Sequence, residues 1–256
     1  MEIKLLDKSE DRVKFYVKDI DFSFANLIRR SVMSEVPVMA IDEVTFHKNS
    51  SALYDEILAH RLGLLPLSTD LKSYNVKEKC KCEGKGCARC QLKLVLQAKG
   101  PCIVYAENIK SKDSKIKPVQ ANMPIVKLLK GQQLQFEAVA SLGYGRDHAK
   151  YAPGLVFYRQ VADVKIKGNK DREKLSKICP QNILVLAGSN LKVSEPLKCD
   201  MCLACTDASD DVEIVPKENE FIFEIENWGQ FDTEEMILAG LDSIKEKLKE
   251  LNKLLK

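Results

Sequence analysis

The chain has 256 residues, of which 45% are hydrophobic and 30% are charged, and its formal net charge at pH 7 is +3. This composition is typical of a globular protein, and the length is enough for roughly one to three domains. No apolar run approaches the about 18 residues that a membrane-spanning helix requires, and the first residues lack the features of a secretory signal peptide. We therefore expect a cytoplasmic protein with no membrane segment. The small net charge does not by itself indicate an extended nucleic-acid-binding surface.

The N-terminal segment predicts a β-hairpin followed by a helix. Apolar and polar residues alternate within residues 2–20, as they do in half-buried strands. The next sequence, DFSFANLIRRSVMSEVP, predicts a helix that Ser23 caps and Pro37 ends. The predicted apolar face of this helix carries Phe24, Leu27, Ile28 and Val32.

The central part of the chain predicts mainly strands. A strand is expected from Val38 to Phe46, and a short amphipathic helix over Leu53–Leu62 should follow it. Several segments within residues 91–166 are rich in β-branched and aromatic residues, so strands are expected there too. The GYGRDHAKYAPG stretch is expected to be a loop because of its glycine and proline content.

Four cysteines lie close together in the sequence CKCEGKGCARC, with the spacing C-x-C-x4-C-x2-C. Four thiolates in so short a segment are typical of a closed, structural zinc site. The glycines let the backbone fold tightly, and the near absence of apolar residues means that metal binding would supply folding energy. A pair of disulfides or an empty loop are the alternatives. The predicted zinc ligands are Cys80, Cys82, Cys87 and Cys90.

A second group of cysteines lies towards the C-terminal end. Three of them are spaced at i, i+3 and i+6, and a Cys-Pro pair precedes them. Bacterial ferredoxins bind [4Fe–4S] clusters with the run C-x2-C-x2-C-x3-C-P, whose proline-flanked cysteine ligates the second cluster. Here Ser209 occupies the fourth position of the run. We therefore predict one [4Fe–4S] cluster, with zinc on the same thiolates, or thiols that only pack, as alternatives. The predicted cluster ligands are Cys179, Cys199, Cys202 and Cys205.

The segment around these cysteines predicts a compact β/α module. A short helix should end near Cys179, followed by the strands ILVL and LKVS, the cysteine loop and the strand VEIV. After Pro216, the alternating sequence FIFEIEN predicts a separate strand.

The C-terminal segment predicts a long helix, capped by Asp232 or Thr233. Its apolar residues recur every three or four positions, which gives a narrower seam than a helix lying on a globular core shows. We therefore predict that this helix meets another helix, with packing inside its own domain as the alternative. The seam consists of Ile237, Leu241, Ile244, Leu248, Leu251 and Leu255.

Four segments together resemble one protein family: FANLIRRSVMSEVPVMAIDEV, LYDEILAHRLGLLPL, GYGRDHAKYAP and FIFEIENWGQFDTEEMILAGLDSI. They are similar to RNA polymerase subunits of the bacterial alpha type, and especially to the archaeal D subunit and its eukaryotic third-largest-subunit relatives. The resemblance covers nearly the whole chain in order. The ferredoxin-like insertion before the last strand and helix points to the archaeal, iron–sulfur-containing branch.

This resemblance implies an α+β fold, in which a dimerisation domain of the alpha-subunit type is interrupted twice. The first interruption is a β-rich insert domain that bears the zinc loop, and the second is a ferredoxin-like iron–sulfur module. The expected dimerisation domain comprises residues 1–45 and 217–256, joined by a strand near 155–166. The expected inserts are residues 46–160, with the zinc loop at 80–90, and residues 167–216.

The resemblance also implies a non-catalytic assembly subunit of DNA-dependent RNA polymerase. In the family, the first and last helices form the interface with a smaller alpha-like partner, the L subunit. That heterodimer is the platform for the small N and P subunits and then for the large catalytic subunits, so contact with DNA is indirect. The sequence agrees, since it contains neither a G-x4-G-K-[ST] phosphate loop nor the D-x-D-x-D carboxylates that nucleotidyl transfer would require.

Family members differ in their cluster cysteines, which suggests a structural or redox-sensitive role rather than one in transcription chemistry. A ferredoxin-type electron-transfer protein fused to an accessory domain is the main alternative. A zinc-loop nucleic-acid binder is disfavoured, because basic and aromatic residues are not interleaved.

Overall fold

The computed structural model describes residues 1–255 and has five helices and twelve strands in that range. The helices are α1 (Phe22–Glu35), α2 (Asp55–Gly63), α3 (Arg172–Ile178), α4 (Ala204–Ala208) and α5 (Thr233–Leu254). The first six strands are β1 (Glu2–Lys8), β2 (Arg12–Lys18), β3 (Pro37–Asn49), β4 (Gln91–Lys99), β5 (Cys102–Tyr105) and β6 (Lys110–Ser111). The others are β7 (Pro124–Leu128), β8 (Gln133–Tyr144), β9 (Gly154–Ile166), β10 (Leu184–Ala187), β11 (Asn190–Val193) and β12 (Val212–Asn227). Strands in antiparallel sheets dominate, so the predicted α+β class is confirmed.

Contacts between Cα atoms divide the chain into two compact units. Unit 1 contains Met1–Lys8, Val13–Leu27 and Phe157–Glu224, and unit 2 contains Ser9–Arg12, Ile28–Val156 and the chain from Ile225 onward. The domain boundaries expected from the family resemblance stay a prediction.

Unit 1 is built on a four-stranded sheet with the order β1-β2-β12-β9. The predicted N-terminal hairpin is present, with Leu5 opposite Phe15 in the β1–β2 pair. The Phe15 ring stacks on Phe223, with 5.3 Å between the ring centroids, and Tyr158 packs against Phe223 from β9. A second, two-stranded sheet pairs β10 with β11, and α3 packs against it through the fully buried Leu175.

Strand β12 differs from the sequence-based expectation. The sequence predicted two strands separated at Pro216, whereas the structure has one strand of sixteen residues that runs through this proline. A proline can lie within a strand where its missing N–H is not needed by the ladder. The break that we inferred from Pro216 was therefore wrong.

The start of α1 also corrects an expectation. Asp21, rather than Ser23, caps the helix, because its Oδ1 accepts a hydrogen bond from the main-chain N–H of Phe24 at 2.7 Å. The main-chain oxygen of Asp21 accepts the N–H of Ala25 at 3.0 Å. The helix consequently begins at Phe22, so Ser23 lies inside its first turn.

Unit 2 is built on a second four-stranded sheet with the order β3-β8-β4-β6. Helix α2 packs on this sheet through Leu58 and Leu62, which join a large apolar core with Phe136 and Leu94. Strands β5 and β7 form a separate two-stranded sheet. No helix of the described residues is long and apolar enough to cross a membrane.

Helix α5 belongs to unit 2 and packs there through its N-terminal half. Met236 and Gly240 are buried, whereas most residues beyond Ile244 are exposed. The helix begins after Asp232, which was one of the two predicted caps. Its C-terminal half contacts the rest of unit 2 through charged side chains, such as Lys247, whose Nζ lies 2.8 Å from Oε1 of Glu35.

Candidate metal centres and helix interface

The first cysteine group forms a compact set of four sulfur atoms. All four Sγ atoms lie within 4.8 Å of one another. Two pairs, Cys80 with Cys87 and Cys82 with Cys90, are 3.6 Å apart. Two members of the group are buried and two are half-buried, so the centre is shielded from bulk water. The four thiols can bind a metal ion.

Tight turns bring these thiols together. Gly84 and Gly86 have φ angles of +78° and +86°, which an L-residue with a side chain rarely adopts. The main-chain N–H of Cys87 points at Sγ of Cys90, with 3.2 Å between the nitrogen and the sulfur. An N–H that points at a thiolate stabilises the charged form, as in many metal–thiolate loops. The two glycines thus allow the tight backbone turns that the sequence predicted.

The thiols of this group differ in pKa. The hydrogen bond from Cys80 lowers the pKa of Cys82 to about 6. Burial raises the pKa of Cys90 to about 12. Because a metal binds thiolates, binding must release the remaining protons, and the affinity must rise with pH.

The second cysteine group surrounds one small pocket in unit 1. All four predicted ligands line it, together with aliphatic side chains such as Val164 and Ile183. Cys199 and Cys205 are buried, Cys179 is half-buried and Cys202 is exposed. The structure thus gathers the four cysteines of the second group around one pocket.

Two segments supply these cysteines, and polar side chains connect them. Gln181, just after Cys179, donates to Oδ2 of Asp200 at 3.0 Å. Oδ1 of Asp200 accepts the main-chain N–H of Cys202 at 3.2 Å. Asp200 thereby links the α3 end to the cysteine loop.

The backbone of the cysteine loop is unusual. Met201 and Leu203, on either side of Cys202, have φ angles of 57° and 64°. For a residue with a side chain, this left-handed conformation costs about 1–2 kcal/mol. Burial also raises the pKa of the Cys199 and Cys205 thiols. A loop that binds nothing has no evident reason to hold buried thiols in a strained backbone, so the chemistry of this donor set fits a bound metal centre.

Arg159 was not singled out in the sequence. It lies on β9, and its Nη2 donates to the carbonyl oxygen of Leu197 at 2.6 Å, while its Nη1 donates to that of Cys199. Asp200 occupies an unspecified position of the cysteine run, and Arg159 lies forty residues before the cysteine that it contacts. The role of Arg159 is therefore visible only in the tertiary structure.

The predicted interface residues of α1 have different environments. Phe24 and Leu27 are exposed, Ile28 is half-buried and Val32 is fully buried. Val32 packs within the chain against Gly240 of α5. The N-terminal part of the predicted α1 face, Phe24 and Leu27, is therefore exposed to solvent.

The predicted seam of α5 changes along the helix. Ile237, Leu241 and Ile244 are half-buried. The exposed fractions of the distal members are 60% for Leu248, 51% for Leu251 and 77% for Leu255. Large apolar side chains therefore recur along one face of the distal part of α5 and are exposed.

Comparison with known proteins agrees with this architecture. Residues 39–156 match the family described as the RNA polymerase Rpb3/RpoA insert domain. The chain is 36% identical to DNA-directed RNA polymerase subunit Rpo3 of Methanosarcina acetivorans, over 98% of this chain and 97% of that protein. It is 37% identical to Rpo3 of Pyrococcus furiosus, over 99% and 98%. With Rpo3 of Pyrococcus horikoshii the identity is 43%, over 70% and 67%.

An α+β chain with this insert domain is of the alpha-type class of polymerase subunits. More particularly, the chain belongs to the archaeal Rpo3 family of DNA-directed RNA polymerase subunits, which is the family of the archaeal D subunit. The resemblance inferred from the four sequence segments is confirmed.

Proposed function

We propose that this chain is a non-catalytic assembly subunit of a DNA-dependent RNA polymerase, and that it pairs with the small alpha-like L subunit. The heterodimer then carries the small N and P subunits and the large catalytic subunits. Family membership gives the class, and the exposed leucine seam of α5 is the observation that carries the proposed pairing. Catalytic residues are assigned to the large subunits, and contact with DNA is made through the complex in the cytoplasm.

The seam is suited to helix–helix pairing. Burying one leucine side chain stabilises an assembly by about 1.5–3 kcal/mol. Leu248, Leu251 and Leu255 follow the four-and-three spacing of a coiled-coil seam and lie beyond the part of α5 that packs in unit 2. Phe24 and Leu27 of α1 offer further exposed apolar surface and are proposed as interface residues as well.

We infer that the first cysteine group holds one structural zinc ion. Tetrahedral zinc with bonds of about 2.3 Å places its thiolates about 3.8 Å apart. The sulfur pairs of this loop, at 3.6 and 3.9 Å, agree with that spacing. Four thiolates leave no open position for water, so the ion would hold the loop together rather than take part in a reaction.

The second group is proposed to hold one [4Fe–4S] cluster. Its cysteines follow the ferredoxin spacing, and all four line one pocket. When bound, a cluster supplies a cross-link between the two cysteine segments and a site that can accept one electron. The residues of the chain contribute four thiols, an aliphatic wall and the hydrogen bonds of Asp200.

The alternative of an electron-transfer ferredoxin gains no support from the comparisons. The relatives match nearly the whole chain rather than the cysteine module alone, and their names describe polymerase subunits.

Co-purification with the small alpha-like partner tests the proposed pairing. Wild-type chain co-expressed with that partner is expected to elute as a heterodimer in size-exclusion chromatography. Leu248→Glu with Leu251→Glu should abolish the heterodimer, because two charges would enter the seam. Lys253→Glu is the control, since Lys253 is exposed on the same helix but outside the seam. A seam variant that still forms the heterodimer would overturn the proposed interface.

A further inference from the structure

Arg159 is a half-buried cation with no carboxylate partner. In the described part of the chain, no carboxylate lies within the 4.0 Å that defines an ion pair with its guanidinium, which instead donates to the carbonyl oxygens of Leu197 and Cys199. A guanidinium stays protonated at any relevant pH. Removing it partly from water is costly unless negative charge lies nearby. Two neutral carbonyls offset only part of that cost.

The cysteine site would supply the missing negative charge. Four thiolates around an oxidised cluster core of +2 give a net charge of about −2. Arg159 contacts the main chain of one proposed ligand, Cys199, and reaches across to the turn that precedes it. It therefore fixes the segment that leads into the cysteine run and places positive charge beside the site.

Asp200 acts on the same site with the opposite charge. Asp200 lines the pocket, and its carboxylate accepts hydrogen bonds from Gln181 and from the N–H of Cys202. Two opposite charges thus lie next to Cys199. Arg159 donates to the carbonyl oxygen of Cys199, and Asp200 follows Cys199 in the sequence.

We propose that Arg159 is the positioning residue of the cluster loop and that Arg159 and Asp200 tune the cluster's reduction potential in opposite directions. The proposal rests on the cluster proposed above. Reduction adds one electron to the cluster and makes it more negative, so a nearby cation favours the reduced form and a nearby anion disfavours it. Arg159 raises the potential, and Asp200 lowers it.

The test uses the full-length chain purified anaerobically together with its polymerase partners. Iron, acid-labile sulfide and the electron paramagnetic resonance spectrum of the dithionite-reduced protein are measured first. The potential is then obtained by titration with dithionite in the presence of redox mediators. The variants are Arg159→Met, Arg159→Lys and Asp200→Asn, with Lys165→Met as the control for loss of an exposed cation on the same strand.

Arg159→Met is expected to shift the potential to more negative values and to release iron to a chelator about 10-fold faster, as loss of an outer-shell partner typically does. Arg159→Lys keeps the positive charge but cannot donate to both carbonyl oxygens as the guanidinium does. Its reduction potential should therefore stay close to that of the wild type, whereas its iron should still be released faster. Asp200→Asn should shift the potential in the positive direction. Lys165→Met should change neither quantity.

The outcomes separate two kinds of failure. Wild-type protein without iron and sulfide would refute the proposed cluster itself. A cluster that is present in the wild type, with an unchanged potential and iron-release rate in Arg159→Met, would overturn only the role of Arg159. If Arg159→Met does not fold, the lysine variant and Asp200→Asn still decide the proposal. Iron release from Arg159→Lys as slow as from the wild type, or a potential of Asp200→Asn that does not shift in the positive direction, would contradict it.

Discussion

Gly240 of α5 lies directly against Val32 of α1. A Cβ added at Gly240 would lie 2.6 Å from Cγ2 of Val32 and 3.0 Å from its Cα. Since real Cβ atoms do not approach other atoms so closely, only glycine allows the two helices to come together at this point. This contact holds the N-terminal half of α5 against α1, whereas the distal leucines Leu248, Leu251 and Leu255 are exposed.

Gly240→Ala is therefore expected to destabilise unit 2. Alanine favours a helix over glycine by about 1 kcal/mol, but forced overpacking costs about 1–3 kcal/mol. The nearby atoms include the backbone of Val32, which cannot rotate away, so we expect a net loss of about 1–2 kcal/mol in the free energy of unfolding by urea. The control is Gly63→Ala, because an added Cβ there meets nothing closer than the main-chain oxygen of Ile41 at 3.7 Å. A Gly240→Ala protein as stable as the wild type would contradict this explanation.

Periodicity predicted the elements of this fold better than their junctions. The alternation in the N-terminal hairpin and the heptad spacing of α5 were enough to predict both, because each reflects the environment of its own side chains. The continuity of β12 through Pro216 depends on neighbouring strands instead. Similarly, Asp21 replaced Ser23 as the cap of α1 because the chain enters the helix two residues earlier than the apolar pattern indicated.

The same distinction between local pattern and tertiary contact applies to the candidate sites. Cysteine spacing predicted both thiol groups, and the structure gathers each group around one centre. The residues that hold the second group in place could not be predicted. Arg159 reaches the cysteine loop from a different strand, and Asp200 acts through Gln181, which lies near the other cysteine segment. Such contacts follow from tertiary structure and leave no local pattern.

Gly86 offers a test of the zinc site proposed for the first cysteine group. Its φ of +86° strains any residue with a side chain, and an added Cβ would also displace the end of the Gln91 side chain, whose Oε1 would lie 2.6 Å away. Gly86→Ala should therefore distort the turn between Cys82 and Cys87 and lower the zinc affinity about 10-fold, as loss of outer support does in other sites. Competition with a chromogenic zinc chelator measures this affinity.

Gly131→Ala is the matched control for that experiment. Gly131 has a similar φ of +83°, but an added Cβ would meet nothing within 4 Å. It should reproduce the backbone strain without the loss of zinc affinity. Equal zinc affinities in the two variants would show that Gly86 does not shape the site.

Asp70 should make stability depend on pH. Hydrogen bonds from Lys115, at 2.8 Å, and from Ser73 hold the pKa of this carboxyl well below its usual range. Because the pKa is depressed in the folded state, the stabilisation is present above the unfolded pKa of about 3.9 and is lost as the pH falls below it. Asp70→Asn is expected to cost about 1–2 kcal/mol at pH 7, and the difference from wild type should shrink below pH ~4.

Urea unfolding at several pH values checks this prediction. Glu107→Gln serves as the comparison, since Glu107 is an exposed carboxylate for which the structure gives no ion pair among the described residues. It should change stability little at any pH. A stability difference between wild type and Asp70→Asn that stays constant down to pH ~3 would rule out the proposed linkage.

The cysteine loop gives the last prediction, which concerns assembly. Replacing Cys199 and Cys202 by serine should prevent binding of the proposed cluster and loosen the segment around residues 167–216, because both cysteine segments would lose their common anchor. Recovery of the assembled polymerase from cells should then fall, and the isolated chain should be digested faster by protease within this segment. Cys102→Ser is the control, since this exposed thiol belongs to neither cysteine group. If the double variant assembles as well as the wild type and has the same melting temperature, the proposed cluster does not support assembly, and a redox role independent of assembly becomes the better explanation for these cysteines.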